Sequence, residues 1–547
     1  MNILGFQIDI LTFLILAPLF GALLVASLPA NKWIARWTAL GIGVGIFAVS
    51  AWVFMEYQAN ALDGGFYFET PQYRWFTVLG ASWHLGIDGI SASMVLLTGL
   101  LTPLAILVSW EVSDRPNMHL ALLLLFEATS MGVFVAMDLM VFFLFYELSL
   151  VPMYFLINQW GSPAQKGVKY TGRIYASTKF LLYSMGGTLG MLLATQLIGF
   201  TAGTYEIAEI ARAAGEWLSI SRLDDAFLGL NVGTVKAVAF VGFMVAFGIK
   251  VPIWPFHTWL PDAHGEAPTA GSMLLAGVML KLGAYGFLRL VVPFFPEVWV
   301  SNVPFIGVSW AMLFAFLSML GIVLGAFAAF GQNDIKRLVA YSSVNHMGFV
   351  GIGIAAYALL YGQAWVAEQN AISAGNMMDA VAALNGVVMQ MFNHGLSSAG
   401  MFLLAGGIYH KTHTRDLTQY GGFWVKAPIF GGLFVFMSMS SLGLPGLNGF
   451  VGEFLIVRGT WTTFTWLTAI SMIGLLFTGS YILKGIRYTL HGEFNMHWKD
   501  YNLEVDWREF TAVFVLGIFI FWTGLAPNWI LQTINSSVTL ILTNILG

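Results

Sequence analysis

No cysteine occurs in the 547 residues. That excludes disulfides and any iron–sulfur cluster held by thiolates of this chain, so electron transfer, where it is coupled to this protein, belongs to partners. Charge is equally scarce. Asp, Glu, Lys and Arg make up 10% of the residues, against about a quarter in soluble globular proteins. A net charge of −4 offers no basic stripe for nucleic acid. The glycine runs GIGVG at 41–45 and GIGIAA at 351–356 lie in apolar helical stretches with no preceding strand, which removes them as nucleotide loops. What remains is apolar: 58% hydrophobic residues and a mean hydropathy of +0.77. The solvent of such a chain is mostly lipid.

A hydrocarbon layer of about 30 Å takes about 20 apolar residues per helix. That ruler places spans near 9–28, 37–55, 90–109, 118–137, 139–158, 178–200, 236–254, 271–293, 307–329, 336–358, 381–408, 427–445, 463–484 and 509–531. The expected fold is therefore an all-α integral membrane protein of about fourteen transmembrane helices. The runs are apolar throughout, without the alternation of a barrel strand. The first is long, lacks a basic leader and opens a polytopic series, so it is expected to be a span and not a cleaved signal. Loops after odd-numbered spans hold Lys32, Arg36, Arg115, Lys336, Arg337, Lys411, Arg415, Lys484 and Arg487; those after even-numbered spans hold few basic residues, such as Arg74, Arg212 and Arg458. The positive-inside rule then puts both termini on the non-cytoplasmic side. The tail after Pro527 is apolar but interrupted by polar residues, and is expected along the interface or against a partner.

Against this background a few residues stand out. Glu147 lies in VFFLFYELSLVPMYFLI, Lys250 in VGFMVAFGIKVPIW and Lys281 in SMLLAGVMLKLGAYGF. His346 lies in YSSVNHMGFV, His394 in MQMFNHGLSSAG and Glu453 in LPGLNGFVGEFLIV, while Glu127, in LLLLFEATSMG, is a further acid at depth. A charge at the membrane centre costs several kcal/mol, which makes each a functional candidate. Each also has a plain alternative: a Glu or Lys can be half of a static pair, a His can bond a backbone carbonyl, and Glu127 can snorkel or bond a neighbouring serine. Number and sign favour function, since two acids, two lysines and two histidines on separate helices exceed what one static pair requires. Burial disfavours the charged form of an acid or a lysine and a nearby opposite charge restores it, so such groups can exchange protons near neutrality, where histidine already titrates. His257, Asp262 and His264, in FHTWLPDAH, read as structural or loop-facing.

Two helix breaks accompany these charges: GIKVP at 248–252 around Lys250, and GLPG at 443–446 upstream of Glu453. Interrupted helices in corresponding positions of two halves point to ion sites in transporters. The spacing suggests two five-helix units, spans four to eight and nine to thirteen.

The stretch FGIKVPIWPFHTWLPDAHGEAPTAGSMLLAGVMLKLGAYGFLR resembles the antiporter-like subunits of respiratory complex I. FFLFYELSLVPMYFLI, AYSSVNHMGFV, FNHGLSSAGMFLLAGG and GLPGLNGFVGEFLI resemble the NuoM type, called NdhD in cyanobacteria and chloroplasts, and the likeness runs from about residue 85 to 490. The resemblance implies fourteen helices with two inverted five-helix repeats. The parts would be 1–117 (helices 1–3), 118–293 (helices 4–8), 307–484 (helices 9–13) and 485–547 (a cytoplasmic loop, the last span and the tail). It implies a proton-translocating role in an NADH:quinone oxidoreductase of a bacterial inner membrane or an equivalent energy-transducing membrane. Glu147 and Lys250 would form the pair of the first half-channel, with Lys281 the central lysine, His346 and His394 on the polar axis and Glu453 the acid of the broken twelfth helix. Glu127 is a further candidate for the relay. No cofactor or metal is expected in this chain. Flavin, iron–sulfur clusters and a quinone site would belong to partner subunits, and neighbouring antiporter-like subunits and lipid would surround it. Two alternatives stay open: a subunit of an Mrp-type Na⁺/H⁺ antiporter, and a scaffold whose charges only lock helices together. The stretch from Ala355 to Ala380 looks longer than the family norm, with AEQNAISAGNMM (367–378) as the insertion.

Overall fold

The computed structural model describes residues 2–3, 6–7, 9–29, 32–61, 63–76, 80–163, 172–213, 232–366 and 374–546. Most of the expected insertion, 367–373, lies outside them. The longer helices are α1 (Ile10–Ser27), α2 (Lys32–Asn60), α3 (Gly89–Glu111), α4 (Pro116–Val135), α5 (Leu139–Trp160), α6 (Arg173–Ala202), α7 (Val232–Lys250), α8 (Trp259–Glu266) and α9 (Thr269–Phe294). They continue with α10 (Trp310–Gly331), α11 (Ile335–Val366), α12 (Ala374–Thr412), α13 (Pro428–Leu442), α14 (Asn448–Trp461), α15 (Thr465–Leu490), α16 (Trp507–Leu525) and α17 (Asn528–Leu546). Among the described residues, eleven helices are long and apolar enough to cross a membrane. Each of the fourteen expected segments falls on a helix, with boundaries moved where proline intervenes. The expected 236–254 ends at Lys250, before Pro252, and the expected 509–531 ends at Leu525, before Pro527.

Acidic and hydroxyl caps start several helices. Asp88 accepts from the backbone N–H of Ile90 and Ser91 at the head of α3, with Ser91 completing a capping box. Asp138 does the same for Met140 and Val141 at the head of α5, and Asp506 forms a capping box with Glu509 on α16. A short antiparallel hairpin, Tyr73–Phe76 with Ala81–Trp83, leads into α3.

Burial separates centre from rim. The most apolar window of α3 is wholly buried and that of α9 is 94% buried, against 33% in α15 and 28% in α16. Lys281 thus lies on a helix enclosed by protein, while the outer helices turn apolar side chains such as Leu193, Leu476 and Phe514 outward, as a lipid-facing surface requires.

The tail forms α17 and packs one face on the rest of the chain. α17 buries Ile530, Ile534 and Val538, spaced four apart, against its own chain. Ser537 Oγ accepts from the Gly89 N–H at 2.8 Å and lies 2.9 Å from Tyr57 Oη, while Gln58 Nε2 donates to the Trp529 carbonyl at 2.7 Å. The polar interruptions of the tail do not say which surface it covers; in the structure that surface is α2, α3 and α12.

Candidate proton-conducting axis

Both expected breaks are present, and each has a local cause. Pro252 has no N–H to close the turn onto Gly248, whose carbonyl instead accepts from Ile253 N–H at 2.8 Å. The freed Ile249 carbonyl accepts the Trp259 indole N–H at 2.9 Å, so the interruption is covered by protein, as backbone at membrane depth must be. In the second break, α13 ends on Gly443 in the left-handed region (φ 81°), a conformation glycine adopts without a Cβ penalty. Pro445 and Gly446 separate it from α14. Asn448 closes the gap: it accepts from Ser440 Oγ at 2.7 Å and exchanges side-chain-to-carbonyl hydrogen bonds with Asn393 of α12 at 2.7 and 3.2 Å. Glu453 consequently sits on the second half of a discontinuous helix.

α9 carries a feature the sequence does not display. Two π-helical turns, Leu275–Met279 and Phe287–Val291, flank Lys281. Such bulges free carbonyls and recur at functional sites. Here the Lys281 ammonium donates to the Ala276 carbonyl.

Lys281 is also 2.8 Å from His394 Nδ1. Close approach of α9 and α12 makes this possible: a Cβ on Gly395 would lie 2.9 Å from the Gly277 carbonyl oxygen. With His394 Nδ1 accepting from the ammonium, its Nε2–H donates to Ser343 Oγ at 3.1 Å. The His394 and His346 rings are 5.6 Å apart, centre to centre. His346 Nδ1 is 2.6 Å from Glu453 Oε1, which also accepts from Gln390 Nε2 at 3.0 Å. On its other side His346 Nε2 lies 3.3 Å from Ser441 Oγ and 3.4 Å from Tyr481 Oη. Lys281, His394, His346 and Glu453 therefore form one buried row across α9, α12, α11 and α14.

The first-half pair is arranged differently from the simplest expectation. Lys250 and Glu147 make no direct ion pair. The Lys250 ammonium lies 4.7 Å from the centre of the Tyr146 ring, a cation–π contact, and has no hydrogen-bond partner among the described residues. Glu147 remains near enough for its charge to act on Lys250. It is half-buried beside a kink at Ser149, where Pro152 interrupts the turn onto Leu148. Glu127 is fully buried on α4 with neither carboxylate oxygen hydrogen-bonded; Thr102, opposite on α3, donates its hydroxyl to the Thr98 carbonyl. No described contact joins Glu127 to the row.

In FHTWLPDAH, Asp262 is structural, as its setting suggested: it pairs with Lys179 at 2.6 Å and with Arg337. His257 is part-buried near Tyr341. His264 is not loop-facing, for it is fully buried. Sequence reading passed over Tyr146, Ser343, Gln390, Ser441 and Tyr481. Of these Gln390 carried a usable signal, four residues before His394 and so on the same helix face. No group of three His, Cys, Asp or Glu that could hold a metal occurs among the described residues.

The family described as NADH:quinone oxidoreductase/Mrp antiporter, transmembrane, matches residues 136–368 and 371–478. NADH-quinone oxidoreductase subunit M of Pseudomonas aeruginosa is 38% identical over 536 residues, 97% of this chain and 96% of that protein. A chain of respiratory complex I from Thermus thermophilus, solved with bound NADH, superposes with a TM-score of 0.79 at 25% identity, covering 98% of this chain and 100% of that one. A chain of the Mrp complex from Dietzia sp. shares the fold (TM-score 0.78, 18% identity, 98% and 99% covered).

Proposed function

The chain belongs to the NADH:quinone oxidoreductase/Mrp antiporter transmembrane family, and from that premise we propose that it is the membrane-arm subunit of an NADH-quinone oxidoreductase that carries protons along its buried row. The observation that carries the reading is the buried row from Lys281 through His394 and His346 to Glu453, hydrogen-bonded at both ends and with its two imidazole rings adjacent in the middle. Each member can gain and lose a proton, and the one step without a direct hydrogen bond is between the two imidazoles, whose ring centres are 5.6 Å apart. Lys250 with Glu147 feeds the row from the first half. Lys281 is its hub, and Glu453 is the last acceptor before release on the non-cytoplasmic side. Glu127 is at most an accessory to this route.

The two breaks fall in the fourth span of each expected five-helix unit, which supports two repeats at 118–293 and 307–484 flanked by 1–117 and 485–547. Both termini then face away from the cytoplasm of a bacterial or equivalent energy-transducing membrane. Redox chemistry belongs to partners bearing flavin, iron–sulfur clusters and a quinone site, with other antiporter-like subunits as neighbours. The 38% identity to a subunit M favours this reading over an Mrp subunit.

The test is Lys250→Ala. Its ammonium lies over a ring face and makes no direct ion pair with Glu147, so its loss breaks no salt bridge. The complex should assemble, and proton transport per complex should fall. Failed assembly with normal pumping per surviving complex would instead identify a scaffold.

A further inference from the structure

Two adjoining cavities open on the side of the molecule that holds the Asp262 ion pairs. The outer, about 490 Å³, has exposed residues Pro163 and His413 in its wall and so reaches the surface. The inner, about 280 Å³, shares Ser162, Pro163, Tyr409 and His413 with it and ends at Thr269 and Lys336, beside the start of α9.

The inner end is polar and underused. Thr269 Oγ1 is buried without a hydrogen-bond partner. Lys336 is 1% exposed, and its ammonium donates to the Ala267 carbonyl at 2.9 Å. It makes no ion pair among the described residues, because the nearby acids Glu266 and Asp334 are held by Arg415 at 3.2 and 3.0 Å. Three residues before Ala267 stands His264, fully buried, its ring flat on Phe402 at 4.4 Å, with Nδ1 and Nε2 both unpartnered. A histidine serving only to fasten helices would bond a carbonyl or hydroxyl with at least one nitrogen, since an unsatisfied buried polar atom is costly. The Ser272 hydroxyl of α9 donates to the His264 carbonyl at 3.2 Å, which seats His264 against the first turn of the helix that carries Lys281.

We propose that these cavities are the proton intake of the central row, with Lys336 at the inner mouth and His264 the relay between it and Lys281. A proton arriving from the vestibule binds one ring nitrogen of His264 while the proton on the other nitrogen leaves toward Lys281; the imidazole is then neutral in the opposite tautomer, and a half-turn of the ring about its Cβ–Cγ bond restores the first for the next transfer. The aromatic stack on Phe402 holds the plane of the ring, which a half-turn preserves, and leaves both nitrogens free. This inference rests on the proposed function, that Lys281 is a relay.

The whole complex, reconstituted in vesicles, tests it by proton uptake per electron transferred. His264→Phe preserves a flat ring against Phe402 and removes both nitrogens. It should lose uptake as Lys281→Met does, while assembling normally. If Lys281→Met abolishes uptake and His264→Phe leaves it intact, the intake is elsewhere and the inference falls while the functional reading stands. If Lys281→Met leaves uptake intact, both fall. A second measurement does not depend on how the histidine variant folds. The chain has no cysteine of its own, so Ser162→Cys places a single thiol in the wall of both cavities. A membrane-impermeant maleimide should label it only from the side rich in Lys and Arg loops, and labelling should slow uptake. Labelling from the opposite side, or labelling without effect on uptake, would overturn the proposal.

Discussion

Glu453 receives hydrogen bonds from two side chains, His346 and Gln390, on one carboxylate oxygen. Glutamine in its place keeps the shape and one carbonyl acceptor for them but cannot ionise. Glu453→Gln should therefore reduce proton pumping in proteoliposomes with little loss of complex. Glu453→Ala should in addition destabilise the fold by about 3–5 kcal/mol, the usual result of stripping one partner from a buried pair. If the glutamine variant pumps normally but detaches from a neighbouring subunit, Glu453 neutralises a contact and is no acceptor. A second residue-scale prediction concerns His84, outside the spans, held by Glu206 at 2.7 Å and Glu69 at 3.1 Å. Burial disfavours its charged form, but the hydrogen bond and charge of Glu206, with the charge of Glu69, outweigh that and raise its pKa above the ordinary 6.5. In the unfolded chain it titrates near 6.5. Its pairing thus stabilises fully below about that pH and is lost as pH rises through the raised folded value. Amide exchange at 80–88 and 203–206, corrected for intrinsic rates, should show protection falling on the alkaline side. A His84→Gln protein should lack that dependence; a wild-type profile flat with pH would refute the latch.

At the scale of helices, α7 meets α9 where Gly283 leaves no side chain. A Cβ there would lie 2.7 Å from Cβ of Lys250. Gly283→Ala must push α7 outward, an overpacking cost of about 1–3 kcal/mol, and carry Lys250 away from the hub. Lower thermal stability together with slower proton transport is expected; a loss of stability with transport intact would separate Lys250 from the route. The helix breaks at Lys250 and before Glu453 were legible because proline and glycine announce them. The π-helical turns around Lys281 were not, since LLAGVM is as apolar as any regular turn and carries no mark of the extra residue. Nor did composition reveal that the Lys250 ammonium lies over the Tyr146 ring without a direct ion pair to Glu147. That depends on the rotation of α5 in the turn before its kink at Ser149, which follows from packing. Of the two expectations for His264, structural or loop-facing, burial removes only the second: its neighbours Asp262 and Glu266 are in ion pairs, and only the fold shows the ring turned inward onto Phe402.

Across the whole molecule, the scarcity of charge gives the row its meaning. In a chain with 10% charged residues, four ionisable side chains from four helices meet at the centre, on or beside the helices most enclosed by protein. The scaffold alternative also predicts buried pairs, and the Glu453–His346 contact by itself satisfies it. It does not account for Lys281, whose hydrogen-bond partners are a carbonyl and an imidazole and not a carboxylate. Lys281→Arg separates the two readings because arginine keeps the charge but does not deprotonate in proteins. The measurement is proton uptake per electron in vesicles carrying the assembled complex with that one substitution. The relay account predicts an assembled complex whose uptake through this subunit falls on the order of a hundredfold, the scale of a lost proton-transfer group. Unchanged stoichiometry and rate would contradict it.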